Sequence, residues 1–284
     1  MKPAPFRWHG PSSVAEAVAV LAECGADGKV LAGGQSLVPV LAMRLAEPAD
    51  LVDINGVAEL DHVTVDAAGV TVGALARHAR VQRDPAARAV QPLLSQGLAL
   101  VAHPTIRNRG TTVGSLAHAD PSGEMTAVLA LTGGTVTAAS IRGRRVLPAA
   151  DFFVGVLESA LAPDELAVEA FFPALPAGAG SAFVEISRRH GDYALCGVGA
   201  IARLGPDGSV ESLHCAYLSV SDVPVVLELT ESWSIGRAAQ DAMAALDPPS
   251  DLQASADYRR HLAGVLTVRA AEQAIAAART VVAA

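Results

Sequence analysis

Short apolar runs alternate with stretches of helical periodicity through the opening of the chain. Phe6-Arg7-Trp8-His9 reads as a short strand. Pro11-Ser12-Ser13 then opens a helix, with Ser13 and Glu16 at capping-box spacing and Val14, Ala17, Val18, Leu21 and Ala22 on its apolar face. Gly25-Ala26-Asp27-Gly28 ends it. Lys29-Val30-Leu31 is a second strand, residues 37–44 are a second helix stopped before Pro48, and Leu51-Val52-Asp53-Ile54 is a third strand. Strands and helices in alternation predict a small α/β unit with parallel strands over residues 1–55.

The pattern then changes. His62-Val63-Thr64-Val65 and Gly69-Val70-Thr71-Val72-Gly73 predict a hairpin around Asp66-Ala67-Ala68. Helices are expected at about 74–82, 85–102 and 123–131, a loop at 103–110, and strands at 135–138 and 166–173. These make a second unit, residues 56–175. The run 173–180 is rich in Pro, Gly and Ala and reads as a linker. Beyond it, residues 176–284 form a third unit. Three strand-like runs, 181–187, 193–204 and 209–219, carry the turn Pro206-Asp207-Gly208 between the last two. Helices follow at 235–246 and 257–284. The sum is an α+β protein.

Composition narrows the function. The chain has 284 residues, 51% hydrophobic and 18% charged, with a net charge of −8. No block of Lys and Arg stands out, which argues against a nucleic-acid partner. Three cysteines, Cys24, Cys196 and Cys215, lie far apart, so neither a disulfide framework nor an iron–sulfur or zinc cage is expected from this chain. No apolar run is long enough to span a bilayer, and the start has no apolar core of signal-peptide length. The expected address is the cytoplasm.

Two glycine stretches carry the candidate chemistry. The first, Ala32-Gly33-Gly34-Gln35-Ser36-Leu37, lies between a strand and a helix, where backbone N–H groups can approach an anion. Gly-Gly before a helix also serves as a plain tight turn. The second, residues 106–125, is dense in glycine and small polar residues and adds hydroxyls and two carboxylates, Asp120 and Glu124. Backbone donors suit an anionic nucleotide and carboxylates suit ribose hydroxyls. Other patterns dissolve on inspection. Ser115, His118 and Asp120 lie too close along one segment for a hydrolytic triad, and the chain has no G-x-S-x-G elbow. Gly197-Val198-Gly199-Ala200-Ile201-Ala202 matches a dinucleotide pattern but runs into a turn, not a helix. His214 and Cys215 are strand neighbours and point to opposite faces. No catalytic base or nucleophile and no metal set emerges.

The run AGGQSLVPVLAMRL from Ala32, the run IRNRGTTVGSLAHADPSGE from Ile106, SAFVEISRRHGDYAL from Ser181 and YRRHLAGVLTVRAAEQA from Tyr258 resemble the FAD-binding medium subunit of the molybdenum hydroxylases. That family includes xanthine dehydrogenase, aerobic carbon monoxide dehydrogenase and the quinoline- and nicotine-hydroxylating enzymes. The similarity covers nearly the whole chain. It implies an N-terminal FAD-binding domain of two α/β subdomains, of the vanillyl alcohol oxidase and p-cresol methylhydroxylase type. It also implies a C-terminal three-stranded antiparallel sheet with a helix bundle.

By the same resemblance, Ala32, Gly33, Gly34, Gln35, Ser36 and Leu37 wrap the FAD pyrophosphate, and Thr111, Thr112, Gly114 and Ser115 form a second phosphate-side loop. Glu124 meets the ribose hydroxyls, with His118 and Asp120 nearer the ribityl chain or flavin. Leu161 lies near the isoalloxazine, and Tyr193 covers one flavin face. Arg188, Arg189 and His190, just before it, read as a solvated turn or as neighbours of the flavin. The resemblance further implies a large subunit with a molybdopterin cofactor, a small subunit with two [2Fe–2S] clusters, electron transfer from those clusters to an external acceptor, and a dimer of heterotrimers. Two departures stand out. Val113 precedes Gly114 where relatives carry a second glycine, and Val184 replaces a lysine found in some xanthine dehydrogenases, which puts NAD in doubt as the acceptor. A free-standing FAD-dependent oxidoreductase is the alternative, and a non-catalytic nucleotide-binding module a third reading.

Overall fold

The computed structural model describes residues 2–234 and 236–282. The first residue of the helix expected at 235–246 and the last two of the helix expected at 257–284 lie outside the described residues. The first unit runs β1 (Arg7–His9), α1 (Val14–Cys24), β2 (Gly28–Leu31), α2 (Leu37–Ala42) and β3 (Asp50–Asp53). Its strands are parallel in the order β1-β3-β2. The capping box of α1 is split. The Ser13 hydroxyl accepts from the Glu16 N–H, but the Glu16 carboxylate turns to the main-chain N–H and hydroxyl of Ser12 at 2.7 and 2.8 Å.

The second unit comprises β4 (Val63–Val65), β5 (Gly69–Gly73), α3 (His78–Arg83), α4 (Pro85–Val90), α5 (Pro92–Leu100), α6 (Pro104–Arg107), α7 (Thr112–His118), α8 (Glu124–Thr132), β6 (Thr135–Ser140), β7 (Gly143–Pro148), α9 (Ala149–Phe152), β8 (Phe153–Gly155), β9 (Glu158–Ser159) and β10 (Leu166–Pro173). Its five-stranded sheet, β4-β5-β10-β6-β7, is antiparallel at every pairing, so the parallel βαβ pattern belongs to the first unit alone. The helix expected at 85–102 breaks at Gln91-Pro92, where proline has no N–H to continue the ladder. Residues expected as loop form the helical turn α6 and the helix α7. The edge strand β7 went unread because Arg144, Arg145 and Val146 are all exposed and show no alternation.

The third unit holds β11 (Ala179–Ser187), β12 (Ala194–Leu204), β13 (Val210–Leu218), β14 (Val225–Glu228), α10 (Thr230–Ser234), α11 (Ala238–Ala245) and α12 (Ala256–Val282). The three expected strands pair as antiparallel neighbours, and the short β14 adds a fourth at the edge of β13. The two faces of this sheet have different partners. Ala182, Cys196, Val198, Ala200, Cys215 and Tyr217 pack with Leu262, Leu266, Ala270 and Ala274 of α12. The alanine stripe of α12 lets the helix lie directly on β11, where any side chain at Gly180 would collide with its backbone at Ala274 and Ala278. Phe183, Ala216 and Leu218, from the other face, join the core of the first two units. A buried link fixes that contact. Ser219 donates its N–H to the Pro121 carbonyl at 2.8 Å and its hydroxyl to the Ala194 carbonyl at 2.7 Å, and that hydroxyl lies 2.8 Å from the Ser122 hydroxyl, so the sheet holds the turn that precedes α8.

Candidate cofactor site

The first glycine stretch leaves β2 at the carboxyl end of the parallel sheet, the usual place for a ligand in such a sheet. Its two glycines do different work. A Cβ on Gly33 would lie 2.6 Å from the Arg109 carbonyl oxygen, 2.7 Å from Gly110 Cα and 3.1 Å from the Thr111 nitrogen. Gly33 therefore lets the two glycine stretches touch. Gly34 takes φ +71, a conformation that L side chains resist, and makes the turn into α2. Among the described residues, the N–H groups of Gly33, Gly34, Gln35 and Ser36 meet no protein acceptor. The Ser36 hydroxyl does not cap α2, so it is free as well. Gly33, Gly34 and Gln35 border a pocket of about 400 Å³ that Asp53, Asn55, Ile106 and Arg109 also line. With only six residues, α2 adds little helix dipole, and the loop's own donors make the anion site.

A side-chain clamp holds the junction. Asn55 donates to the Ala32 carbonyl at 2.9 Å and to Asp53 Oδ1 at 2.6 Å. Arg77 donates from one guanidinium nitrogen to Asn55 Oδ1 and from another to the Arg109 carbonyl, both at 2.7 Å. Neither Asn55 nor Arg77 was singled out from the sequence. Each is a lone polar residue, and their partners are distant in the chain.

The second stretch is a helix entry rather than a loop. The Thr111 hydroxyl accepts from the Gly114 N–H at 3.1 Å as the N-cap of α7. Any Cβ at Gly114 would sit 2.5 Å from that hydroxyl oxygen and 3.9 Å from Ala32 Cβ. The Thr112 hydroxyl lies 3.3 Å from Nδ1 of the buried His78. The Thr111 hydroxyl keeps its own O–H to donate, whereas the N–H of Thr112 goes to the Ala76 carbonyl at 3.4 Å and that of Gly114 to Thr111. Val113 points into the core, which explains why a second glycine is dispensable there. Ser115, partly exposed, has no side-chain partner among the described residues.

Helix α7 spans about 10 Å and carries the site from the glycine junction to an acidic end. His118 closes the helix with Nε2 4.0 Å from Asp120 Oδ2. Glu124 opens α8. Dense protein around its carboxyl, with Asp120 nearby, pushes its pKa up to about 7, although the residue as a whole keeps some accessible surface. Tyr193, just before β12, is 65% exposed, so it is not a core aromatic. Burial of its hydroxyl end and the charges of Asp120 and Glu124 raise its pKa, which sets it beside the same acidic group. Glu185 on β11 joins this end too and carries no sequence signal of its own. Leu161 follows the β8–β9 hairpin. No described contact joins it to the other candidates, though Leu157 in that hairpin donates to the Ala119 carbonyl beside His118 at 3.1 Å. Arg188, Arg189 and His190 are exposed, and Arg189 pairs with Asp192 at 3.0 Å.

A family model described as the FAD binding domain in molybdopterin dehydrogenase matches residues 4–175. The chain belongs to this FAD-binding family of the molybdopterin dehydrogenases. A second model, the CO dehydrogenase flavoprotein C-terminal domain, matches residues 181–274. The chain is 38% identical to the 6-hydroxypseudooxynicotine dehydrogenase complex subunit alpha of Paenarthrobacter nicotinovorans, over 98% of this chain and 97% of that one. It is 34% identical to the carbon monoxide dehydrogenase medium chain of Hydrogenophaga pseudoflava, over 95% and 97%. Among solved structures, carbon monoxide dehydrogenase from H. pseudoflava matches with a TM-score of 0.92 at 35% identity, over 97% of this chain and 99% of that one. Quinoline 2-oxidoreductase from Pseudomonas putida 86 matches with 0.91 at 36%, over 98% and 99%.

The residues fit the cofactor of this family. FAD carries a diphosphate, and the junction offers unpaired main-chain donors at Gly33, Gly34 and Gln35 in a pocket kept open by glycines, with the free Ser36 hydroxyl next in the chain. FAD also carries hydroxyls and a flavin ring, and the other end of α7 offers carboxyls and an exposed tyrosine. Cys24, His9 and Asp50 meet away from this site with ligand atoms within 4.8 Å of one another. The Asp50 oxygens already accept from Arg7 at 2.8 and 2.7 Å and lie 2.7 Å from His9 Nε2, and this ion pair locks β1 to β3. Among the described residues no helix is long and apolar enough to cross a membrane.

Proposed function

We propose that this chain is the FAD-carrying electron-transfer subunit of a heterotrimeric molybdenum hydroxylase. In this reading a large subunit holds the molybdopterin and hydroxylates substrate, and a small subunit holds two [2Fe–2S] clusters. The chain passes their electrons to an external acceptor. A cytoplasmic dimer of heterotrimers, and division of this chain at residues 55/56 and 175/176, belong to the same reading. One observation carries it: relatives that match along nearly their full length are named as chains of multi-subunit dehydrogenases. A free-standing flavin oxidoreductase is not favoured by such relatives.

Bound FAD supplies the ability to take up electrons in pairs and give them up to a second acceptor. The protein's part is placement. Gly33, Gly34, Gln35 and Ser36 donate main-chain N–H groups to the diphosphate, with the Ser36 hydroxyl beside them and Ala32 and Leu37 framing the turn. Thr111, Thr112 and Gly114 form the adjoining stretch of the same wall, with the Thr111 O–H and the Ser115 hydroxyl left to donate. Glu124 takes the sugar hydroxyls, with His118 and Asp120 adjacent. Leu161 and Tyr193 border the ring.

The test is purification of the chain with its native partners, followed by absorbance spectroscopy, metal analysis and subunit masses. Flavin, iron and molybdenum in one active complex of three different chains is the expected result. Full activity from this chain alone, with flavin and no iron or molybdenum, overturns the reading.

A further inference from the structure

Glu185 lies opposite Gly197 in the β11–β12 register. Its neighbours Val184 and Ile186 pack on the α12 side of the sheet, and Phe183 packs on the side of the N-terminal units. Strand alternation puts Glu185 on Phe183's side, facing the N-terminal units. There its Oε2 is sealed from solvent and meets no hydrogen-bond partner among the described residues. The charged group that faces it is Glu124, at the start of α8, and the two carboxyls repel each other. Beyond Glu124 lie Asp120 and the Tyr193 hydroxyl. The cation that acts on Glu124 is Arg107, which spends a guanidinium nitrogen on the Val101 and Ala102 carbonyls at 2.8 and 3.0 Å.

A sealed polar atom without a partner is destabilising, and a ligand that supplies the missing hydrogen bond is one reason a native fold keeps it. The position is the right one for that, because Glu185 adjoins the acidic end of the site; at its register partner Gly197 the space for a side chain is filled by Leu218. We propose that Glu185 is a further cofactor-contacting residue, whose Oε2 makes a hydrogen bond to a ribityl hydroxyl or to the imide edge of the bound flavin beside Glu124. This rests on the FAD reading above. Burial and Glu124 push the Glu185 pKa up to about 8, so at neutral pH the carboxyl is uncharged and offers both an O–H and a C=O. Those two groups match the N–H and C=O of an imide.

The role predicts opposite effects on stability and affinity. Without cofactor, Glu185→Leu removes an unpartnered polar atom, so the full-length apo-protein melts at or above the wild-type temperature. Its FAD affinity, read by flavin fluorescence on titration, falls about tenfold, the scale of one lost buried hydrogen bond. Glu185→Gln keeps a donor and an acceptor and holds affinity within about threefold. Unchanged FAD affinity in Glu185→Leu sinks the proposal, and so does a drop in melting temperature that accompanies lost affinity in both variants, because that is a packing role. Wild-type apo-protein that takes up no FAD overturns the FAD reading itself, a result distinct from tight wild-type binding left untouched by Glu185→Leu.

Discussion

Gly33 lies so close to Gly110 that a Cβ on the first would fall 2.7 Å from the Cα of the second. Two glycine stretches far apart in sequence are thereby made into one wall. A ligand that needs donors from both requires this contact. Gly33→Ala is expected to push the 109–111 backbone away from the first loop and to strip FAD from the purified protein, read as the ratio of flavin to protein absorbance. Gly34→Ala acts differently, through strain at φ +71 of about 1–2 kcal/mol, and is expected to lower stability more than it distorts the junction. Full flavin content in Gly33→Ala would refute the split-site assignment.

Arg77 ties Asn55 to the Arg109 carbonyl with two separate nitrogens of one rigid fork. Lysine carries the charge but not the fork. Arg77→Lys should therefore weaken FAD binding about tenfold, the equivalent of one good hydrogen bond. Asn55→Ala, which also frees the Ala32 carbonyl, should do at least the same. Isothermal titration of apo-protein with FAD measures both, and wild-type affinity in Arg77→Lys would show that the clamp does not set the loop.

What the sequence made legible was local chemistry. Residues 32–36 read as a phosphate-type turn because a glycine pair between a strand and a helix announces itself within a few positions. Most strands are readable from apolar runs. Helix α7 was not, because Thr112, Gly114 and Ser115 spoil its periodicity and its stability comes from the Thr111 cap and the buried Val113 and Leu116. Family resemblance places Thr111 and Thr112 at the cofactor, and the structure adds a second task for their hydroxyls, one capping α7 and the other lying 3.3 Å from His78 Nδ1. Asn55, Arg77 and Glu185 gain their meaning only from contacts across distant segments, which no spacing rule reports.

His78 lies beneath the second glycine stretch, with its ring 2.8 Å from where a Gly110 Cβ would stand. Burial, with help from the charge of Arg107, lowers its pKa from 6.5 to about 4. The unfolded chain thus takes up a proton below pH 6.5 that the folded chain refuses until about pH 4. The contribution is flat above that window, and stability is lost as pH falls through it. Melting temperature should drop on acidification across this range, and the slope should be shallower in His78→Gln. Equal slopes in both proteins would assign the acid sensitivity to other groups.

Arg259 is buried and donates one guanidinium nitrogen to the Leu195 and Ser219 carbonyls at 2.7 and 2.9 Å. Ser219 in turn holds Pro121 and Ser122 ahead of Glu124. Arg259→Ala strands two buried carbonyls and frees the anchor of that turn. The expected loss is about 3 kcal/mol by urea denaturation, with flavin released at lower urea than in the wild type. A loss under about 0.5 kcal/mol, the scale of an ordinary surface change, would show that the guanidinium is not needed there.

Tyr193 presents the opposite case, a large aromatic that the fold does not use. The residue is 65% exposed, and neither core cluster contains it. Removing it should leave the melting temperature unchanged, since exposed side chains of this kind carry about 0.5 kcal/mol or less. Its place beside Asp120 and Glu124 gives it another use, to lie against the flavin and shield one face of the ring from water. Tyr193→Ala should then keep FAD bound, because the diphosphate donors at Gly33–Ser36 are untouched, and should change the rate at which the bound flavin is reduced in stopped-flow measurements. Tyr193→Phe keeps the ring and loses only the hydroxyl, so it separates shielding from hydrogen bonding. If shielding is the role, Phe restores the wild-type rate and Ala does not. An unchanged rate in Tyr193→Ala would remove the residue from the site altogether.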